Sequence, residues 1–254
     1  MAIVDPSDLF RHAAANGYSV PVVGAPGLAA AVTALGAAEE AECPLVLSVF
    51  ETGMAPLALE TAMPAIEATA ERAGVPVVLR LDGVADRQGL GRATRLGFNL
   101  VGFAPGADPS LAELAARGGV MAADDAVPRA PEAGAVALES SPAGGRARAA
   151  LAAVRRWRAV EHVVMFNAEG LAEAEIERLF RIGCEALGAV PGVRDVRVAR
   201  AITPGARYGL CWFVRFANET VAATYKDDPG HVEFADTHFR PVAADRLTID
   251  FVIL

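Results

Sequence analysis

Histidine, cysteine and aromatic residues are scarce in this chain of 254 residues, and basic residues are outnumbered by acidic ones. Three cysteines, Cys43, Cys184 and Cys211, are odd in number and far apart, which excludes a disulfide framework. None has the close Cys or His neighbour that a zinc site needs, and each lies in or after an apolar segment, as buried free thiols in a reducing compartment do. A net charge of −8 leaves no basic face for phosphate, so no nucleic-acid partner is expected. Apolar residues make up 53% of the chain, yet no run is long enough to cross a bilayer. The opening Met-Ala-Ile-Val-Asp-Pro has neither a basic segment nor an apolar signal core. These absences predict a soluble cytoplasmic protein without a membrane partner.

What the chain does contain falls into two rhythms. In the first half, apolar runs alternate with alanine-rich helical runs. Ser19–Gly24, Pro44–Phe50, Val75–Leu81 and Asn99–Phe103 read as strands, with Val120–Ala122 after them. Gly27–Ala41, a segment around Pro64–Ala73, Arg87–Leu96 and Ser110–Arg117 read as the helices between. Continuous apolar strands imply a parallel sheet covered on both faces, built from βαβ units. From about Ala126 to Gly145, prolines and a Gly-Gly pair break the pattern, with Val136–Leu138 as one short candidate strand. Arg146–Ala159 reads as a connecting helix packing through Leu151, Val154 and Trp157, its arginines forming a solvated face.

The last part has the order β-α-β-β-α-β, a ferredoxin-like arrangement. Strands are predicted at Glu161–Phe166, Val193–Arg200, Leu210–Phe216 and Leu247–Leu254. Helices are predicted at Leu171–Leu187, Glu219–Lys226 and Pro229–Val242. A four-stranded sheet with helices on one face leaves an apolar face bare, so two such sheets are expected to pair in a homodimer. The expected domains are 1–125, a connection over 126–159, and 160–254.

Chemistry concentrates late in the chain. In Tyr225-Lys226-Asp227-Asp228-Pro229-Gly230-His231, a phenol and an imidazole flank a helix start, with Asp228 as cap and Pro229 in the first turn. The helix dipole lowers the pKa of His231, whereas Asp227 and Asp228 raise it, so the sign of its shift is open. A neutral imidazole there suits a general base, with the Tyr225 hydroxyl holding a carbonyl or enolate. The same residues also fit a structural role at a dimer seam. His162 on the first strand fits a pocket position or a structural hydrogen bond. Trp212, Phe234 and His238 are the expected substrate-contacting or core residues.

The final stretch resembles the stress-responsive α/β-barrel (Dabb) family. The resemblance rests on His162-Val163-Val164-Met165-Phe166, Pro191-Gly192-Val193, Tyr225…Pro229-Gly230-His231-Val232 and Ile249-Asp250-Phe251. It implies a dimer whose sheets close into a barrel, with a pocket between sheet and helices in each subunit. One plant member is a polyketide cyclase that uses a Tyr and a His for acid–base work, and these match Tyr225 and His231. His162 matches a pocket histidine of that cyclase.

The first half resembles class II fructose-bisphosphate aldolases through Gly17-Tyr18-Ser19-Val20, Ala38-Glu39-Glu40, Cys43–Leu47, Val75–Asp82 and Gly97-Phe98. In that family the third strand ends Leu-Asp-His-Gly, the Asp donating a proton and the His binding zinc. Here Leu81-Asp82 is followed by Gly83, and His12 reads as an exposed helix residue. A full eight-unit barrel takes about 250 residues, roughly twice what this segment offers. The expectation is a partial (βα) barrel-like domain without metal or cofactor, in which Asp82 caps a helix or serves a site. Its exposed sheet edges would be covered by residues 126–159, the C-terminal domain or a second subunit.

Three functions remain in play. The leading one is a homodimer that binds a small apolar carbonyl compound and catalyses cofactor-free enolisation or aldol cyclisation through Tyr225 and His231, assisted by His162. The alternative is a non-catalytic stress or assembly protein. A metal-dependent aldolase is disfavoured by Gly83.

Overall fold

The structure is a computed structural model that describes residues 2–49, 58–123, 144–168 and 170–253. The candidate strand at Val136–Leu138 lies outside these residues. The chain divides into two compact units, Met1–Ala116 with Val120–Trp157, and Arg117–Gly119 with Arg158–Leu254.

The first unit is built on five parallel strands: β1 (Val22–Ala25), β2 (Leu45–Val49), β3 (Val77–Val84), β4 (Leu100–Phe103) and β5 (Met121–Ala122). They lie in sequential order, β1-β2-β3-β4-β5, which is the order of a singly wound (βα) barrel opened out. The connecting helices are α2 (Leu28–Glu40), α3 (Ala58–Arg72), α4 (Arg87–Arg95) and α5 (Ser110–Arg117). Right-handed crossovers wound in one direction place such helices on one face of the sheet. Side chains on that face, such as Leu47, Leu79 and Val101, are fully buried.

The opposite face is covered by this unit's own chain. Helix α1 (Pro6–Ala15) and helix α6 (Ala147–Ala153) pack Leu9, Ala150 and Val154 onto Val22, Val46, Val78 and Leu100. The sheet ends in short edges, four residues in β1 and two in β5, which leaves little free ladder for another chain. Beneath the sheet, Ile3 bridges Val77 and Val4 bridges Arg156. Buried Asn99 ties this floor together, accepting from the Leu79 N–H at 2.9 Å and donating to the Val4 carbonyl at 2.9 Å.

Helix α6 is shorter than the expected Arg146–Ala159. The chain turns extended at Val154 because Arg155 is claimed elsewhere: its carbonyl accepts from the Asp5 N–H at 2.9 Å, and its guanidinium pairs with Asp8 at 2.6 Å. Trp157 is buried, as expected, but outside the helix.

The second unit holds an antiparallel sheet of β6 (Val160–Phe166), β7 (Val193–Arg200), β8 (Leu210–Phe216) and β9 (Arg246–Val252), in the order β7-β8-β6-β9. With α7 (Glu173–Gly188), α8 (Glu219–Tyr225) and α9 (Pro229–Phe234), this is the ferredoxin-like topology. In β6 and β8 the residues Val160, Val164, Phe166, Leu210, Trp212, Val214 and Phe216 are buried, alternating with half-buried ones. One face of the sheet thus carries the helices. The predicted helix over Pro229–Val242 is instead an α-helical turn followed by a π-helical one, Ala235–Phe239. The wider turn inserts a residue and rotates the downstream side chains, so His238 does not repeat the face of His231 at seven residues.

Candidate functional site

The site begins with the register of the second sheet. On β6, His162 takes the same face as Val160 and Val164, and its cross-strand partners are Val214 on β8 and Asp250 on β9. Residues opposite one another in an antiparallel pair share a face. The His162 ring therefore meets the Asp250 carboxylate, Nδ1 to Oδ1 at 2.6 Å. Helix α8 lays Tyr225 over the same end of the sheet. Its ring centroid is 4.7 Å from Phe216 and 5.6 Å from His162.

The turn after α8 then returns the chain. Asp228 caps α9, accepting the Gly230 N–H at 2.9 Å, with Pro229 in the first turn as the sequence predicts. This swings His231 onto Tyr225, with ring centroids 4.3 Å apart. The structure thus brings Tyr225, His231 and His162 into one contiguous group.

The hydrogen bonds fix the tautomers. His231 Nδ1 lies 3.2 Å from the Lys226 carbonyl. A carbonyl only accepts, so Nδ1 carries the proton and Nε2 of the neutral ring holds the lone pair. The Asp250 carboxylate is likewise an acceptor, so His162 donates to it from a protonated Nδ1. Burial lowers the pKa of His231, opposed by the hydrogen bond to the Lys226 carbonyl and by the Asp228 charge, and helped by the electrostatic influence of His162 and Arg240. The sign left open by the sequence is therefore downward, and burial is the largest cause. Tyr225 is 4% exposed. Its burial, with the Asp228 charge adding to it, pushes the phenol well above its usual value and keeps it an O–H donor.

A pocket of about 220 Å³ adjoins this group. Tyr225, Thr224, Asp228, Val190 and Pro191 line it, and His231 does not. The remaining expected contacts lie elsewhere. Trp212 is buried in an aromatic cluster with Phe166, Phe180 and Phe234, at centroid distances of 6.5, 5.1 and 5.8 Å. His238 is exposed, and its ring contact is with Phe234 at 6.2 Å. Asp250 is the site residue that residue-type reasoning passed over. Its signal was its place on a strand paired with that of His162, which only the sheet register reveals.

The first unit presents a second group at the carboxyl end of its sheet. Asp82 does not cap a helix: Asp86 caps α4 by accepting the Gly89 N–H at 2.8 Å. Asp82 instead accepts from Ser48 Oγ at 2.6 Å and from Arg80 at 2.7 and 2.9 Å. The metal of class II aldolases does not fit here. Both oxygens of Asp82 are engaged, Gly83 supplies no ligand, and a guanidinium stands where a cation would repel it. No group of three His, Cys, Asp or Glu gathers among the described residues. His12 is also not the exposed residue expected. It is half-buried, with Nδ1 2.9 Å from the Tyr18 hydroxyl. Cys43 is buried as expected, whereas Cys184 and Cys211 are only half-buried.

Fold and geometry together define a protein that joins a parallel α/β unit to a ferredoxin-like unit. Residues 160–253 match the family model described as Stress responsive A/B Barrel Domain, Dabb. Residues 4–103 match that described as Fructose-bisphosphate aldolase class-II. The chain thus carries a Dabb domain and a class II aldolase-like domain. No curated protein matches it. Among solved structures, a Dabb family protein with a ferredoxin-like fold from Mesorhizobium loti is 28% identical over 38% of this chain and 98% of its own, with a TM-score of 0.36. A ferredoxin-like protein from Thermobifida fusca, described as dimeric, is 17% identical over 38% of this chain and 92% of its own, TM-score 0.34. The YdjI aldolase from Escherichia coli K12 is 20% identical over 39% of this chain, TM-score 0.37. This chain spans 39% of that aldolase. No helix among the described residues is long and apolar enough to cross a membrane.

Proposed function

We propose that the Dabb domain binds a small carbonyl compound and performs lyase-like, cofactor-free acid–base chemistry on it. The observation that carries this reading is the contact of Tyr225 with both histidines, whose Nδ1 atoms are each tied to an acceptor. The His231 Nε2 lone pair takes the proton from the carbon beside the carbonyl. The electrons of that C–H bond move into the enolate, whose oxygen accepts the Tyr225 O–H. A buried, protonated phenol and a neutral imidazole are the forms this step needs at neutral pH. His162, held by Asp250, assists at the other side of the phenol. The pocket beside Tyr225 is the place for the ligand's body, its Val190 and Pro191 walls suiting apolar surface.

The test is α-proton exchange of an aryl 1,3-diketone in D2O, followed by proton NMR. Catalysed exchange is expected in the native protein and a loss of about 10²-fold or more in His231→Gln and Tyr225→Phe. Exchange equal in all three proteins would overturn the assignment.

A second reading, an assembly module without chemistry, is favoured by two observations. The pocket stops short of His231, and β9 exposes an apolar strip on the sheet face away from the helices. Leu247 (41%), Ile249 (37%) and Phe251 (49%) on β9 stand on that face opposite Met165, Val163 and Glu161 of β6. Both readings share one partner, a second copy of this chain pairing through that face.

A further inference from the structure

The group at the carboxyl end of the first sheet stands apart from the reaction proposed for the Dabb domain. Ser48, Arg80 and Asp82 lie on one face, since Ser48 is the register partner of Arg80 and Asp82 comes two residues later on β3. This is the face that, lower in the sheet, packs Val46, Val78 and Leu100 against α1 and α6. A guanidinium placed at the end of such an apolar layer is 2% exposed. Desolvating it is tolerable only beside a counter-ion with good geometry. Asp82 provides that: Oδ1 takes Arg80 Nη2 at 2.7 Å and Nε at 2.9 Å, while Oδ2 takes the Ser48 hydroxyl at 2.6 Å.

The neighbouring strand is shaped for the pair. A Cβ on Gly102 would come within 2.1 Å of Asp82 Oδ1 and 3.0 Å of Arg80 Nη2, so β4 carries glycine where the ion pair lies across it. Gly83, next along β3, has φ +82°, a conformation that a side chain such as histidine adopts only under strain. Position 83 thus disfavours a ligand by its backbone as well as by its identity.

We propose that Arg80 is the built-in cation of this sheet, taking the place of a metal ion: among the described residues the group around Asp82 binds no divalent cation, and Asp82 is the counter-ion of the guanidinium. Ser48 and Gly102 are the residues that make this exchange possible, the first by occupying the second carboxylate oxygen and the second by leaving room.

The test uses the full chain. After equilibrium dialysis against zinc or manganese, metal analysis is expected to give the same content for the native protein and Asp82→Asn, and the thermal midpoint is expected to be the same with metal and with chelator. Stoichiometric metal lost on Asp82→Asn would overturn the proposal. Arg80→Met should lower the midpoint of the first unit by roughly 5–15 °C, because it leaves the half-buried Asp82 carboxylate without its counter-ion, and Arg80→Met/Asp82→Leu should regain most of that loss. A single variant as stable as the native protein, or a double variant no better than the single, would likewise overturn it. Should the single variant not fold, the dialysis of native protein and Asp82→Asn still decides.

Discussion

At the scale of single residues, burial sets the protonation states that matter. His231 keeps a neutral ring to lower pH than a free histidine, chiefly because desolvation penalises the imidazolium. An unfolded histidine titrates near about 6.5. Above that pH both states are neutral at this position and His231 contributes no pH dependence. Below it the unfolded chain takes up a proton that the folded site refuses, so stability falls as pH drops towards the folded value. His231→Gln removes that linkage. The difference in urea midpoint between the native protein and this variant should therefore shift in the variant's favour from pH 7 to pH 5. Parallel midpoints over that range would contradict the half-buried, neutral ring. Asp250, opposite His162, acts on orientation: in Asp250→Ala the His162 Nδ1–H signal in nitrogen-15 NMR should lose its hydrogen-bonded shift.

At the scale of elements, close approach between α7 and the sheet is decided by Gly183. A Cβ there would lie 2.4 Å from the Trp212 ring and 2.7 Å from Phe234. The sequence shows Gly183 on the apolar stripe of a helix, where glycine costs about 1 kcal/mol of helix propensity against alanine. The structure shows what offsets that cost: the indole of Trp212 packs directly onto the helix backbone. Gly183→Ala should thus destabilise the Dabb domain by about 1–3 kcal/mol through overpacking, despite the gain in propensity. Chemical denaturation monitored by tryptophan fluorescence checks this, and a stabilised variant would show that α7 has room to move. The π-helical turn over Ala235–Phe239 is another element-scale decision. It turns Phe239 towards Phe166, centroids 4.9 Å apart, and leaves His238 in solvent.

At the scale of the whole molecule, the two units differ in how they finish their surfaces. The parallel sheet has both faces covered by its own chain, and its edges are short. The antiparallel sheet covers one face only and leaves Leu247, Ile249 and Phe251 exposed on the other. Exposed apolar strips of this kind mark association surfaces. In sedimentation velocity at micromolar concentration the native protein should run as a dimer, and Ile249→Glu should shift it to monomer with the near-ultraviolet dichroism of the aromatic cluster unchanged. A native monomer would remove the self-pairing proposal and leave that face without an assigned partner.

The sequence by itself determined whatever depends on neighbours along the chain. Continuous apolar runs mark the parallel strands because both faces of that sheet are buried. Asp228-Pro229 marks a helix start because a carboxylate cap and a fixed φ act locally. Tyr225 and His231 were legible as a pair because a short turn brings residues six apart together. Tertiary structure alone decided the contacts set by register and by packing: Asp250 behind His162, Ser48 and Arg80 around Asp82, the α1–α6 cover, the Tyr18 partner of His12, and the end of α6 at Val154. The reason is that strand register and burial bind residues far apart in the chain. Asp82 reads the same in sequence whether it caps a helix, donates a proton or neutralises an arginine, and only the buried guanidinium beside it settles which partners its oxygens have.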